Sequence, residues 1–223
     1  ERVVSLSLSS DEILLALLPE RRIVGLTYLV DDPQYSNVVD AALAIPRRVR
    51  ANPEQIIALH PDLVVIAGSA YSKTDVGHLL ESTGIRLHRL GPGEQFSGIA
   101  EAIVRLGRVV RAEMKARQIV SNMHRRINTV RKLVRGVDRP RVLYLAPDGF
   151  TAGTKTNIGE MISIAGGINL AERAGIDYFR KISSETIVTL DPEVILLATS
   201  RQLAGTDATY TRLHADPALR NVA

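Results

Sequence analysis

The chain carries one pattern twice, at residues 52–69 and again at residues 183–200. Each copy begins with a helix-capping residue, Asn52 or Ser183, and continues as a short amphipathic segment that ends in Leu-x-Pro and an acidic residue. A continuous apolar run follows, of the kind that forms a parallel strand buried on both faces. One such copy could arise by chance, whereas two copies in the same order predict a pair of α/β lobes.

The segment between the copies is predicted to be helical. Apolar residues recur there at helical spacing in two series. The first series is Ile99, Ile103, Leu106 and Val110, and the second is Met123, Ile127, Val130, Val134 and Val137. The two series are out of phase on one straight helix, and Gly107 is a poor residue for a helix interior. We therefore predict helices at 97–106 and 112–136, with their apolar stripes packed against the lobes.

The flanking segments alternate between predicted strands and helices. Strands are expected at 2–6, 23–26, 63–67, 86–90 and 141–146, with a glycine-bearing loop at 147–156. Two capping pairs, Ser9 with Glu12 and Asn157 with Glu160, are predicted to begin helices. The expected organisation is a first lobe at 1–96, connecting helices at 97–138 and a second lobe at 139–223. We expect one or two closing elements to be absent from the end of the second lobe.

The positive charge of the chain is concentrated in the connecting helices. The formal net charge is +4, yet residues 97–136 alone hold ten Lys and Arg against two Glu. A basic helix can bind nucleic acid or an anionic membrane surface, so an adaptor of that class is an alternative function. Because no aromatic residues alternate with the basic ones and no nucleic-acid motif is present, a solvated outer face is the favoured interpretation.

Catalytic and metal-binding motifs are absent from the sequence. There is no dinucleotide fingerprint, no phosphate-binding loop, no HExxH and no GxSxG, and the five histidines are scattered. With no cysteine, thiolate sites are excluded. The sequence thus predicts no catalytic residue, no resident metal and no cofactor, and an α/β enzyme without a recognisable motif is the remaining alternative. A run of about 18 apolar residues is also missing.

Two runs in the second half carry a family resemblance, TAGTKT at 151–156 and AGGINLA at 165–171. Together with the paired Leu-x-Pro-acid units, they resemble the substrate-binding proteins of iron-siderophore, corrinoid and haem ABC importers. The resemblance implies two Rossmann-like α/β lobes joined by a single long backbone helix, with the ligand cleft between the lobes. It implies a non-enzymatic monomer that captures a metal chelate, a ferric siderophore first and a corrinoid or haem next.

The resemblance also implies partners and a location. An ABC permease and its ATPase would receive the chelate, and no nucleic acid would be bound. The protein would lie in the periplasm or be a membrane-anchored lipoprotein whose signal segment is absent from this chain. An aromatic share of 4% weakly disfavours a haem pocket walled by rings.

Residues carried over from the resemblance lie in loops that follow the strands. The expected ligand contacts are Ser9, Tyr28, Tyr35 and Tyr71 in the first lobe and Asp148, Phe150, Thr151, Tyr178, Arg180 and Arg201 in the second. Arg180 and Arg201 could bind carboxylate or catecholate oxygens through charge-assisted hydrogen bonds. Members of this family present an acidic residue on each lobe to the permease, and Asp75 and Asp207 are predicted in those roles.

Overall fold

A computed structural model describes residues 1–67, 79–80, 82–91, 93–146, 149–198 and 215. The chain divides into two compact units, residues 1–93 with 97–121 and residues 94–96 with 122–223. The predicted division at 96 and 138 stays a prediction. Five of the expected site residues lie outside the described residues, namely Tyr71, Asp75, Asp148, Arg201 and Asp207.

The first unit is built on a parallel sheet with the strand order β3-β2-β1-β4-β5. The strands are β1 (Val3–Ser5), β2 (Ile23–Thr27), β3 (Arg48–Val49), β4 (Leu63–Ala67) and β5 (Arg86–Leu90). Its described helices are α1 (Leu8–Leu17), α2 (Val39–Ala42), α3 (Pro53–Ile57), α4 (Phe96–Val109) and the first part of α5 (Glu113–Leu133), with short 3-10 helices at Glu20–Arg22 and Tyr28–Asp31. The mixed α/β architecture agrees with the predicted fold class.

Alternate residues of the strands face two separate apolar layers. Val3 and Val65 pack with residues of α1 and α4 on one face, whereas Val4 and Ile66 pack with α3 on the other. All four side chains are 2% exposed or less. The sheet is therefore covered on both faces, as the continuous apolar runs predict.

Helix α1 begins at a different residue from the one predicted. Ser7 is the N-cap: its hydroxyl accepts a hydrogen bond from the Ser10 backbone N–H at 3.4 Å, and the Ser10 hydroxyl accepts one from the Ser7 N–H at 3.2 Å. The predicted cap at Ser9 is wrong because Ser9 already lies inside the first turn, whereas Ser7 has the extended backbone that a cap requires. The Ser7 hydroxyl also accepts from the Ala67 N–H at 3.0 Å, which ties the helix start to the end of β4.

The two predicted connecting helices are present as α4 and α5, but the break between them lies beyond Gly107. A Cβ at Gly107 would lie 2.4 Å from the Ala116 Cβ, so glycine is there to let the two helices approach closely. The chain turns instead at 110–112, where Arg111 adopts a left-handed φ of 57°.

The two apolar series differ in burial. Ile103, Leu106 and Val110 are buried in the first unit, as predicted. In the second series Ile127 is only half-buried and Val137 is 62% exposed, and Ala116 is the sole buried residue of α5, all of whose residues are described. The prediction of a fully packed stripe along the second helix is therefore wrong.

The second unit combines a parallel sheet, β10-β6-β8, with an antiparallel ribbon of β7 and β9. Its strands are β6 (Arg141–Leu145), β7 (Phe150–Ala152), β8 (Ile168–Asn169), β9 (Phe179–Lys181) and β10 (Val194–Leu197), and its helices are α6 (Asn157–Ile164), α7 (Leu170–Arg173), α8 (Ser184–Leu190) and the rest of α5. The N-cap of α6 is Thr156, not Asn157, and Glu160 accepts instead from the Phe96 N–H at 2.7 Å. Strand β7 lies where a loop is predicted.

The sequence repeat is also a structural repeat. Asn52 caps α3 and Ser183 caps α8 through their side-chain oxygens, as predicted. At the Leu-x-Pro stops, His60 and Asp191 both adopt left-handed backbone, with φ of 46° and 48°. Each turn then leads into a parallel strand, β4 or β10.

An arginine at the start of the first strand of each unit completes the repeat. The Arg2 N–H donates to Asp62 at 2.6 Å, and its Nε donates to the carbonyl of the left-handed residue at 3.1 Å. Arg141 makes the same two bonds, to Glu193 at 2.6 Å and to the Asp191 carbonyl at 2.7 Å. These arginines lie outside the repeated stretch, so the sequence pattern alone does not find them.

Replacing Arg141 with Ala is expected to destabilise the second unit by about 1 kcal/mol, because the arginine bridges Asp191 and Glu193 at 2.7 and 3.2 Å but both carboxylates are solvent-exposed. Urea denaturation followed by circular dichroism measures the change. Arg173→Ala is the matched control, since Arg173 is an exposed arginine of α7 with no ion pair among the described residues, and it should shift stability by less than about 0.5 kcal/mol. Equal effects of the two substitutions would contradict this role for Arg141.

Candidate functional site

A tyrosine and an arginine lie side by side at the carboxyl ends of β2 and β3. The parallel register pairs Leu26 with Arg48 and Thr27 with Val49, so the next residues beyond the two strands are Tyr28 and Arg50. The Arg50 guanidinium carbon lies over the Tyr28 ring, 4.0 Å from its centroid. The ring is 45% exposed. Ligands of open α/β sheets bind at this edge.

A buried carboxyl group fixes the end of β2. Asp11 is fully buried in the first turn of α1 and accepts hydrogen bonds from the Thr27 hydroxyl at 2.5 Å and the Thr27 N–H at 3.2 Å. Burial raises the pKa of Asp11 from 3.8 to about 6, against the opposing effects of hydrogen bonds from Ser5 and Thr27 and of the Arg48 charge. These bonds anchor the residue that precedes Tyr28.

Two other expected contacts of the first unit, Ser9 and Tyr35, are on its surface. Ser9 is exposed at the start of α1, and Tyr35 is 64% exposed in the loop after the 3-10 helix. Among the described residues no hydrogen bond or ring contact joins either side chain to Tyr28. Their part in a ligand site therefore stays a prediction.

In the second unit the β7–β9 ribbon presents aromatic and cationic side chains. Phe150 lies opposite Lys181 and Ala152 opposite Phe179, and residues directly opposite share a face of the ribbon. Phe150 is 40% and Phe179 is 53% exposed. Phe179 and Lys181 are not among the predicted contacts, because nothing in a three-residue strand marks it in the sequence.

The predicted contacts Thr151 and Arg180 form the third cross-strand pair of the ribbon. Arg180 is exposed, whereas Thr151 is fully buried and its hydroxyl has no hydrogen-bond partner in the described part of the chain. Arg180 is therefore accessible from solvent, whereas the Thr151 side chain is not. Their contact with a ligand stays a prediction.

The predicted contact Tyr178 lies beside a salt bridge. Lys155 pairs with Asp177 at 2.7 Å, and its ammonium nitrogen lies 5.5 Å from the Tyr178 ring centroid. The hydrogen bond between them raises the pKa of Lys155 and lowers the pKa of Asp177. Thr154 also donates to Asp177, at 3.1 Å. The pair holds the loop in which Tyr178 is 51% exposed.

The two runs that carry the family resemblance build a frame beneath the ribbon. A Cβ on Gly153 would lie 1.7 Å from the Ile176 carbonyl oxygen, so only glycine fits there. The Thr156 hydroxyl donates to the Gly153 carbonyl at 2.7 Å, and the Asn169 amide donates to the Ala152 carbonyl at 3.0 Å. Gly153, Thr156 and Asn169 therefore hold the ribbon in place.

The described aromatic side chains are concentrated at the surface. Five of the seven are more than a third exposed: Tyr28, Tyr35, Phe150, Tyr178 and Phe179. Phe96 and Tyr144 are half-buried. Because aromatic rings gain most when buried, the exposed rings of each unit are candidates for ligand contact.

A cavity of about 760 Å³ in the first unit lies at the opposite edge of the sheet, where the strands begin. Its walls include Glu1, Arg22, Asp62 and Arg86. Arg22 and Arg86 already pair with Glu1, at 3.0 and 3.4 Å. Paired charges and an amino-terminal position make this cavity a poorer ligand site than the carboxyl edge.

No cluster of three or more His, Asp or Glu side chains that could hold a metal ion is found in the described ranges. Among the helices described, none combines the length and apolar character that crossing a membrane requires.

Comparison with known proteins assigns the chain to a family. The sequence profile described as periplasmic binding protein matches residues 3–223. The chain therefore belongs to the periplasmic binding protein family. It is 31% identical over 207 residues to a cobalamin-binding protein of Halobacterium salinarum, with 90% of this chain and 54% of the relative covered.

Two further proteins are similar. An uncharacterized ABC transporter substrate-binding lipoprotein, YvrC of Bacillus subtilis, is 27% identical over 204 residues, covering 88% of this chain and 63% of the relative. The structure of the periplasmic heme-binding protein RhuT from Roseiflexus sp. RS-1 in apo form superposes with a TM-score of 0.75 at 25% identity, covering 99% of this chain and 86% of that one. The chain spans about half to two thirds of the length of the curated relatives it matches.

These findings confirm three predictions from the sequence. The family resemblance is correct, the α/β fold class is that of the family, and the family is one of binding proteins, not of enzymes. Membership of a periplasmic family indicates an extracytoplasmic location.

Proposed function

We propose that this chain is the substrate-binding component of an ABC importer, which captures a metal chelate outside the cytoplasm and delivers it to a membrane permease and its ATPase. The observation that carries the proposal is the set of exposed aromatic and cationic side chains, at the carboxyl edge of the first unit and on the ribbon of the second. A periplasmic binding protein with such a surface is suited to a flat, conjugated, anionic ligand.

Three chelate classes follow from this surface. Exposed rings can stack on a corrinoid or haem macrocycle or on the catechols of a ferric siderophore, while Arg and Lys bind carboxylate, phosphate or catecholate oxygens. The relatives named for cobalamin and heme support the macrocyclic classes, although the sequence resemblance puts the ferric siderophore first. The ligand cleft between the lobes is part of the proposal, with Tyr71, Asp148 and Arg201 among its contacts.

The proposal extends to location and partners. The protein works as a monomer in the periplasm or as a membrane-anchored lipoprotein, in line with the lipoprotein relative. Permease docking is assigned to Asp75 and Asp207. No nucleic acid takes part, because the basic residues of α5 form a solvated face, as at Arg125 and Arg126, which are both exposed.

The visible spectrum of the protein purified from its native host tests the function, because haem, corrinoids and ferric catecholates absorb differently. Titration of the ligand-free protein with haemin, cyanocobalamin and a ferric catecholate should then give saturable binding of one class at one site per chain. Failure of all three to bind would contradict the proposal. Tight, salt-dependent binding of DNA or anionic vesicles would point instead to the basic helix.

Removing either exposed phenylalanine of the ribbon should weaken chelate binding. Phe150→Ala and Phe179→Ala are each expected to cost about 1 to 2 kcal/mol of binding free energy, the range for an aromatic contact that stacks on a ligand. Isothermal titration with the chelate that the spectrum identifies measures the loss. Val188→Ala is the control in the same unit, since Val188 is 42% exposed on α8 and is not a residue of the ribbon. A loss of affinity in the control alone would place the ligand elsewhere.

A further inference from the structure

We propose that the Tyr28–Arg50 pair is an anion-binding element that takes a carboxylate or phosphate group of the bound chelate. The inference rests on the proposed function and adds to it the chemical class of group that the first unit recognises. Arg50 has no counterpart among the residues that the family resemblance supplies. The structure assigns this role to Arg50 through three features. These are the side-chain bonds that Arg50 makes, its orientation against the Tyr28 ring, and its position at the carboxyl edge of the sheet.

The two arginines that flank Val49 differ in how they are used. Arg48 donates to both carboxylate oxygens of Asp31, each at 2.7 Å, and to the Ala42 carbonyl at 3.1 Å. The side chain of Arg50 is exposed and forms no ion pair or hydrogen bond within the described ranges. The Arg48 guanidinium therefore stabilises the edge of the sheet, and the Arg50 guanidinium is available to a ligand.

The stack on Tyr28 orients the free guanidinium. At 4.0 Å from the ring centroid, Arg50 lies against the face of the ring, where the π electrons attract a cation. Such a stack leaves the N–H groups in the guanidinium plane free to bind two oxygens of one anion. Because the ring restrains the flexible side chain before the anion arrives, less conformational entropy is lost on binding.

The position of the pair is fixed by the sheet register and by a buried anchor. Tyr28 and Arg50 directly follow the paired residues Thr27 and Val49, at the edge where α/β proteins bind ligands. Thr27 is held by two hydrogen bonds to the buried Asp11. The pair therefore sits on a rigid base and not on a free loop.

The first test uses simple anions and does not depend on the identity of the chelate. Sodium acetate and inorganic phosphate are titrated into the ¹⁵N-labelled chain at constant ionic strength, with the Nε–Hε signals of Arg50 and Arg47 and the Tyr28 ring signals followed by NMR. Saturable shifts at Arg50 and Tyr28, absent at the exposed neighbour Arg47, are expected. Equal, non-saturating shifts at both arginines would overturn the inference, whatever the chelate.

The second test uses chelates with and without the anionic group. Haemin is compared with its dimethyl ester, which lacks the carboxylates, and cyanocobalamin with dicyanocobinamide, which lacks the phosphate. Arg50→Ala should weaken binding of the probe that carries the anionic group by roughly tenfold to a hundredfold, the range for one charge-assisted hydrogen-bonded contact. The affinity for the analogue without that group should stay within about threefold. Arg50→Lys should restore part of the affinity, and Arg47→Ala should have no effect.

The outcomes separate this inference from the proposed function. A loss confined to haemin identifies a carboxylate as the bound group, and a loss confined to cyanocobalamin identifies a phosphate. Wild-type binding that Arg50→Ala leaves unchanged would overturn the inference while the importer function stands. If the wild type binds no chelate, the proposed function fails and so does the role of Arg50 in chelate binding, whereas the anion titration still decides whether the pair binds anions.

Discussion

Replacing Gly153 with Ala is expected to destabilise the second unit by about 3 kcal/mol or more, because the added methyl group would overlap backbone atoms that cannot move away. The new Cβ would lie 1.7 Å from the Ile176 carbonyl oxygen and 2.4 Å from its carbon. The two segments are held together by hydrogen bonds from the Gly153 N–H to the Tyr178 carbonyl at 2.9 Å and from the Thr154 N–H to the Ile176 carbonyl at 3.1 Å. Chemical denaturation monitored by circular dichroism measures the effect.

A glycine with room around it provides the control for this substitution. The nearest atom to a Cβ at Gly93 is a side-chain carbon of Ile99 at 3.5 Å, an ordinary contact, so Gly93→Ala should change stability by less than about 0.5 kcal/mol. Gly153→Ala should also reduce chelate binding, since it separates the strands that carry Phe150 and Phe179. A Gly153→Ala protein as stable as the Gly93→Ala protein would show that this close approach is not required.

The parts of the fold that sequence predicts well are those set by local patterns. The strand at 63–67 forms with the predicted bounds, because a bounded apolar run is enough to specify a buried strand. The strand at 86–90 also has its predicted bounds, although Leu90 is its only buried residue. The caps at Asn52 and Ser183 also form, each through a side-chain oxygen that accepts from the backbone N–H three residues later. The repeat strengthens the prediction of a capped helix followed by a parallel strand, because both copies form these elements.

Capping is less predictable where several hydroxyl groups compete. Ser5, Ser7, Ser9 and Ser10 lie within six residues, and any of the last three could precede the helix in sequence. The choice falls on Ser7 because β1 must end at Ser5 and the chain must turn before the helix begins. That constraint comes from the sheet, so no local pattern contains it.

The site residues missed by the sequence depend on tertiary contacts. Strands β7 and β9 have three residues each and pair with distant partners, so neither shows a period of its own. Arg50 meets Tyr28 only through the register of β2 and the two-residue strand β3. An aromatic share of 4% is also a poor predictor of whether a ligand site contains rings, because most of the described rings lie at the surface.

Asp11→Asn is expected to stabilise the first unit at neutral pH by up to about 3 kcal/mol, because it removes a buried charge while keeping the hydrogen bonds to Thr27. The folded-state pKa of about 6 lies above the unfolded value of 3.8. The folded protein therefore binds more protons between these values, and the wild type loses stability as the pH rises from about 4 to about 6. An Asn side chain can accept from the Thr27 N–H and donate to its hydroxyl, as protonated Asp11 would.

Denaturant melts of the wild type and Asp11→Asn from pH 4 to pH 8 isolate this contribution, since the other titrating groups cancel in the difference. The difference should be small at pH 4, grow up to pH 6 and then remain level. Asp31→Asn should instead make the protein less stable than the wild type at neutral pH. The hydrogen bond from Arg48 lowers the pKa of Asp31, so the ionised carboxylate stabilises the folded protein there. A difference between Asp11→Asn and the wild type that is constant with pH would mean that Asp11 stays ionised in its buried position. The Thr27 bonds would then outweigh the cost of burial, and the base beneath Tyr28 and Arg50 would be insensitive to pH.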